Sequence, residues 1–276
     1  MKNTIKSILL PLLYSFSGVI VTLFVSMIYV SLNTYYYGYN TSTQLKEYFN
    51  SDIYKVGINN FLTNNYIYIG IIIFSLFIPY LLKKYYTENK EINKIKCSNY
   101  LLIMVLGVLV SGIASIVFYN INGIVKFTNT YEIPDVSLLS LIIVGGILTP
   151  IIEEYMFRGV IYKNLQKENS KMLSIIVTSI LFAAISNSID GMIYSFALSF
   201  LLIYVYEKYI SLKAPIILHI TSSIFQILLI YSLHISDILN YILLILFTIL
   251  LVIFYIFTIR KDKKVNYGRN NKKCKN

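Results

Sequence analysis

Tryptophan is absent from this 276-residue chain, cysteine and histidine each occur twice, and acidic residues number 13. Each shortage excludes something. Cys97 and Cys274 have neither a second cysteine nor a histidine nearby, which excludes a disulfide scaffold and a cysteine-rich zinc module. Charged residues make up 13% of the chain, about half the share of an ordinary soluble domain. That is too little charge to cover a globule, so a soluble single-domain enzyme is excluded as well. What is abundant is apolar: 57% of residues are hydrophobic, with 26 tyrosines and 16 phenylalanines.

A bilayer core about 30 Å thick takes roughly 20 apolar residues as helix. Runs of that kind occur eight times, at 8–32, 65–82, 100–121, 136–162, 172–189, 192–210, 214–233 and 238–259. They are continuous rather than alternating, which excludes a membrane β-barrel. The connections between the last five are short, so those helices are expected to pack as sequential neighbours. No linker is visible, and residues 1–276 are expected to form a single all-α integral membrane domain, a polytopic bundle of about eight transmembrane helices. The first run follows Lys2 and Lys6 but exceeds the h-region of about 7 to 15 residues and lacks a small-residue cleavage site, so it reads as a signal anchor.

With the N-terminus inside, eight spans put 20 of the 24 Lys and Arg residues on the cytoplasmic side. Lys46, Lys55 and Lys126 fall outside, and Arg158 falls within a span. This asymmetry is the positive-inside pattern and makes both termini cytoplasmic. The net charge of +11 then follows from topology and attraction to anionic lipid, and no nucleic-acid partner is expected. Cys274 is third from the end, whereas a prenylation box needs a cysteine fourth from the end, so the chain is not itself a prenylation substrate. Without tryptophan, Tyr35, Tyr36, Tyr37, Tyr85, Tyr86, Tyr206 and Tyr209 near span ends read as interfacial anchors.

The fourth run carries what a span should not: Glu153, Glu154 and Arg158. An ionisable side chain at membrane depth costs about 2.5 kcal/mol or more and marks a functional site by default. Glu154 and Arg158 are four residues apart, on one helical face, and can neutralise each other. Glu153 lies about 100° round the helix and cannot share that cation equally, which leaves it available as a general base. Pro150 removes a backbone donor and frees the carbonyl near Gly146, so a kink is expected there, with Gly145 and Gly146 opening space. A purely structural ion pair is the plainer alternative. The seventh run adds His219 and Ser223, four apart on one face, after Pro215 at the helix start. His234 lies about 22 Å further along at helical rise and cannot complete a site with His219.

Glu153-Glu154-x-x-x-Arg158-Gly159, then Phe182-Ala183-Ala184-Ile185, then His219 after Ala214-Pro215 resembles the CPBP intramembrane proteases. That family includes the CAAX proteases of the Ras-converting-enzyme type and bacterial lysostaphin-resistance and bacteriocin-processing or immunity proteins. The resemblance covers about residues 136–233, the expected protease core. It implies Glu153 as the base that activates water, Glu154 and Arg158 as its supporting pair, and His219 as a polariser of the scissile carbonyl oxygen.

The chain also departs from the family. The second motif is Phe-x-x-x-His, and here Phe182 is followed four residues later by Ser186. The third motif pairs its histidine with Asn four residues on, and here the partner is Ser223. A serine hydroxyl can still donate toward an oxyanion, but Ser186 cannot act as a base near neutrality or ligate a metal well. Zinc occurs as a cofactor in the reading the resemblance brings. A catalytic zinc takes three protein ligands, and one histidine with carboxylates is a poor set, so no tightly bound zinc is expected.

The reading that follows is an intramembrane endopeptidase of a bacterial plasma membrane. It would cut a membrane-associated peptide near the cytoplasmic leaflet by glutamate-activated water. The alternative is a catalytically impaired pseudoprotease that serves as a membrane scaffold or as a bacteriocin-immunity or partner-binding protein.

Overall fold

The computed structural model describes residues 2–39, 41–88, 97–124, 136–186 and 188–232, with Ile95 and short pieces at 242, 245–250 and 252–253. The described residues are predominantly helical. In order they form α1 (Lys2–Tyr37), α2 (Ser42–Asn50), α3 (Asp52–Asn64), α4 (Tyr66–Glu88), α5 (Cys97–Ile124), a composite helix α6 (Leu138–Glu168), α7 (Lys171–Ala183), α8 (Ile189–Tyr209) and α9 (Lys213–Ser232). Among the described residues, five stretches are long and apolar enough to cross a membrane: Leu9–Tyr37, Tyr66–Lys84, Asn99–Phe118, Leu138–Glu168 and Ile189–Tyr209. Two further apolar helices, Lys171–Ala183 and Lys213–Leu229, are shorter and fall on the expected fifth and seventh runs. The eighth run lies outside the described residues except for those short pieces, as do His234 and the basic tail.

Residues 33–64, expected as an outer connection, are mostly helical. Helix α1 runs on to Tyr37, and two short helices follow. Their ends are chemically specified. Thr41 Oγ1 accepts from the Gln44 N–H at 3.3 Å while the Gln44 side chain accepts from the Thr41 N–H at 3.2 Å, a reciprocal cap that starts α2. Ser51 ends α2 and starts α3, its hydroxyl accepting from the Tyr54 N–H at 3.2 Å.

Helix α6 is the centre of the molecule. Seven consecutive residues, Met156 to Tyr162, are buried all round the helix, which requires neighbours on every side. Those neighbours include α1, α4, α7 and α9. Met156, Phe157 and Ile161 sit in one apolar cluster with Leu81 of α4, Leu202 of α8 and Leu218 of α9. By contrast α1 exposes Phe16, Phe24 and Met27, a surface suited to lipid. Helix α9 also packs along α5, where Gly107 permits a very close approach: a Cβ there would lie 2.3 Å from Thr221 Oγ1 and 2.7 Å from the Leu218 carbonyl oxygen.

Two expectations need correction. The space expected beside Pro150 is found at one glycine and not at both: Gly145 lines a cavity. The chain absorbs the missing donor by changing its hydrogen-bond register: residues 142–148 wind as a π-helix, with the Thr149 N–H bonded to the Val144 carbonyl five residues back. Gly146 faces no open space, since a Cβ there would lie 2.8 Å from Ile224 Cγ1 of α9. Second, the run at 172–189 is not one helix. Helix α7 ends at Ala183, and α8 begins at Ile189 with the Ser188 hydroxyl accepting from the Gly191 N–H at 3.2 Å. Ser186 therefore lies in the non-helical connection.

Candidate active site

The composite winding of α6 sets the site. A π-helical stretch, Ile142–Leu148, leads into an α-helical turn, Thr149–Glu154, and a second π-helical stretch, Tyr155–Tyr162, follows. Such insertions cost helix regularity and recur at functional positions. The two glutamates sit at the end of the α-helical turn and look in different directions.

Glu154 points inward, fully buried. Its Oε1 accepts from Arg158 Nη1 at 2.8 Å and from His219 Nδ1 at 2.9 Å. Because that oxygen already accepts from a guanidinium, Nδ1 is the nitrogen that carries hydrogen, and Nε2 is left for chemistry. Arg158, also fully buried, donates through Nη2 to the Ser199 carbonyl oxygen at 3.2 Å and to the Ser199 hydroxyl at 2.8 Å. Its guanidinium carbon lies 4.6 Å from the centre of the Phe182 ring, a cation–π contact strengthened by desolvation. Phe182 in turn lies 5.6 Å from the His219 ring and 4.9 Å, edge-on, from Phe157. Helices α6, α7, α8 and α9 are thus tied at one buried charge.

Glu153 looks the other way. Its Oε2 lies 3.7 Å from His219 Nε2, and both residues line a cavity of about 820 Å³. Ser223 and Ser186 line the same cavity, as do Gly145 and Tyr14. Four sequence-derived positions, Glu153, His219, Ser223 and Ser186, therefore converge on one space, with Glu154 and Arg158 behind them. Ser186 is engaged there in a 2.8 Å hydrogen bond with Ser195.

Part of the cavity wall is non-helical. Helix α7 has 13 residues, about 20 Å at helical rise, short of the roughly 30 Å of a bilayer core. The non-helical backbone that follows it, which carries Ile185 and Ser186, lines the cavity. Irregular backbone at membrane depth is tolerated where it is buried in protein or faces a water-filled space.

The donor set does not fit a zinc ion. Glu154 Oε1 is committed to Arg158 and His219 Nδ1, which leaves Glu153 and His219 Nε2 facing the cavity. Among the described residues no three His, Cys, Asp or Glu side chains are grouped to hold a metal.

Sequence reasoning missed Ser199, the second anchor of Arg158, and the 2.6 Å hydrogen bond between Tyr194 and Ser222 beside His219. Serines in membrane helices usually bond back to their own helix, as Ser111 does to the Gly107 carbonyl oxygen at 2.8 Å, so neither carried a distinguishing mark.

Residues 135–225 match the family model described as type II CAAX prenyl endopeptidase Rce1-like. No curated protein and no solved structure matches the chain. The matched segment contains Glu153, Glu154, Arg158, Ser186, His219 and Ser223. Together with the five helices among the described residues that are long and apolar enough to cross a membrane, the match supports an integral membrane protein of the CPBP intramembrane protease family.

Proposed function

We propose that the chain is an intramembrane endopeptidase that hydrolyses a peptide bond of a membrane-associated peptide with a glutamate-activated water. The observation that carries this reading is the division of labour between adjacent glutamates. Glu154 is spent on holding Arg158 and His219 Nδ1, while Glu153 and His219 Nε2 share the cavity.

The chemistry follows from those positions. Glu153 takes a proton from water, and the resulting hydroxide oxygen bonds to the scissile carbonyl carbon. The carbonyl π electrons move to its oxygen, where His219, protonated on Nε2, donates a hydrogen bond, and Ser223 offers a second donor. The carbon–nitrogen bond then breaks as Glu153 returns its proton to the leaving amine. Glu154, accepting from Nδ1–H, stabilises the doubly protonated ring that donation from Nε2 requires, and Arg158 balances Glu154.

A second reading, a pseudoprotease that binds a membrane partner, is favoured by one observation: Ser186, at the place of the family's second-motif histidine, is tied to Ser195 instead of presenting a base. Peptide cleavage by the purified protein in detergent, wild type against Glu153→Gln, separates the two. The protease reading expects loss of activity in the variant. Equal turnover in both removes it, and no turnover in either favours the binding protein.

A further inference from the structure

Helix α9 presents His219 and Ser223 to the cavity and keeps Ser222 off it, fully buried. Ser222 lies about 60° round the helix from His219 and about 100° from Ser223, and its hydroxyl meets the Tyr194 hydroxyl of α8 at 2.6 Å. The Tyr194 ring packs against the apolar cluster that includes Leu198 and Leu218, so the phenol is a fixed point rather than a free rotor. Within the same turn of α9, His219 Nδ1 bonds to Glu154 of α6 at 2.9 Å. Behind both, α5 comes so close that a Cβ on Gly107 would lie 2.7 Å from the Leu218 carbonyl oxygen and 3.3 Å from the Ser222 nitrogen. That glycine surface stops α9 from retreating but gives it no polar tie. A single bond at His219 would leave α9 able to turn about its own axis. The bond at Ser222, off to the side and from a different helix, removes that freedom.

We propose that Tyr194 is a positioning residue for the donors on α9: its hydrogen bond to Ser222 sets the rotation of that helix, and with it the direction in which His219 Nε2 and Ser223 meet the scissile carbonyl oxygen. The role rests on the protease reading above. Its size follows from helix geometry. A side-chain tip lies about 5 to 6 Å from the helix axis, so a turn of about 10° moves it by about 1 Å, and a misplacement of that size costs about 100-fold in rate. Tyr194 belongs to none of the three motifs that carry the family resemblance; it acts on the third of them from α8.

The test uses the full chain in detergent with Tyr194→Phe, Ser222→Ala and the double variant. Tyr194→Phe leaves the Ser222 hydroxyl buried without its partner, which lowers stability by itself; the double variant removes both partners, a change that is nearly neutral for stability. Three quantities are read: kcat and KM for a fluorogenic membrane-associated peptide, the unfolding midpoint, and the proton resonance of His219 Nδ1–H in a chain whose other histidine is replaced, His234→Gln. The expected result is an about 10- to 100-fold lower kcat in each single variant with KM within about twofold. The double variant is expected to keep that low kcat although its midpoint returns to that of wild type, and the Nδ1–H resonance is expected to move in all three. Recovery of kcat together with the midpoint leaves the bond a structural role only and overturns the proposal, as does full kcat in Tyr194→Phe or an unmoved resonance. Activity that survives Glu153→Gln, or is absent from wild type, overturns the protease reading instead, and the resonance then decides whether Tyr194 sets the placement of His219.

Discussion

Replacing Glu154 by alanine removes the acceptor on which α6 and α9 meet. Its Oε1 accepts two hydrogen bonds from groups that are or can be cationic, at 2.8 and 2.9 Å, and its side chain is fully buried, as is that of Arg158. Hydrogen bonds to charged groups contribute about 1.5 to 3 kcal/mol each, so two sum to about 3 to 6. Breaking a buried ion pair by deleting one partner costs about 3 to 5 kcal/mol. Arg158 retains its two contacts to Ser199 and the face of Phe182, which places the loss near the lower end, about 3 kcal/mol, or about a hundredfold in the unfolding equilibrium. Glu154→Gln should fall between. Its amide oxygen can accept both bonds, but the charge is gone and its NH₂ takes the place of Oε2, which has no protein partner. Reversible unfolding in mixed micelles, by tyrosine fluorescence and far-ultraviolet circular dichroism, measures the series. A Glu154→Ala variant as stable as wild type refutes the claim that this carboxylate joins the helices.

Three further outcomes are expected. Gly107→Ala puts a Cβ 2.3 Å from Thr221 Oγ1, and overpacking of that kind costs about 1 to 3 kcal/mol; the same unfolding assay should show that loss, together with lower activity as α9 moves His219. Gly145→Ala should leave stability near wild type, because its Cβ meets nothing closer than Ile227 Cδ1 at 3.8 Å. Ser186→His replaces a hydroxyl bonded to Ser195 by a titratable ring facing the same cavity as Glu153, and turnover of the membrane peptide should rise about tenfold or more; unchanged turnover counts against a reacting role for that position.

Much of the site was legible because charge is scarce in an apolar chain. Glu153, Glu154 and Arg158 stand out of the fourth run, and the four-residue spacing of Glu154 and Arg158 already implies their pairing. The direction of Glu154 toward His219 was not legible, because it depends on how α6 faces α9, a matter of tertiary packing. Pro150 announced a disturbance but not its form: a proline removes a donor, and the residue alone does not specify the π-helical register found before it. The break after Ala183 did leave a signal. Ser186-Asn187-Ser188 is a polar run inside an apolar one, and Ser188 three residues before Gly191 is a helix start, which hydropathy over a window of about 20 residues averages away.

The central claim is that Glu153 activates a water for attack on a peptide carbonyl. Cleavage of a membrane-associated peptide by the reconstituted protein in ¹⁸O-labelled water tests it most directly, by mass spectrometry of the new carboxyl terminus. The account expects ¹⁸O in that carboxylate from the wild-type protein and no product from Glu153→Gln. Labelled product formed equally by both would contradict it.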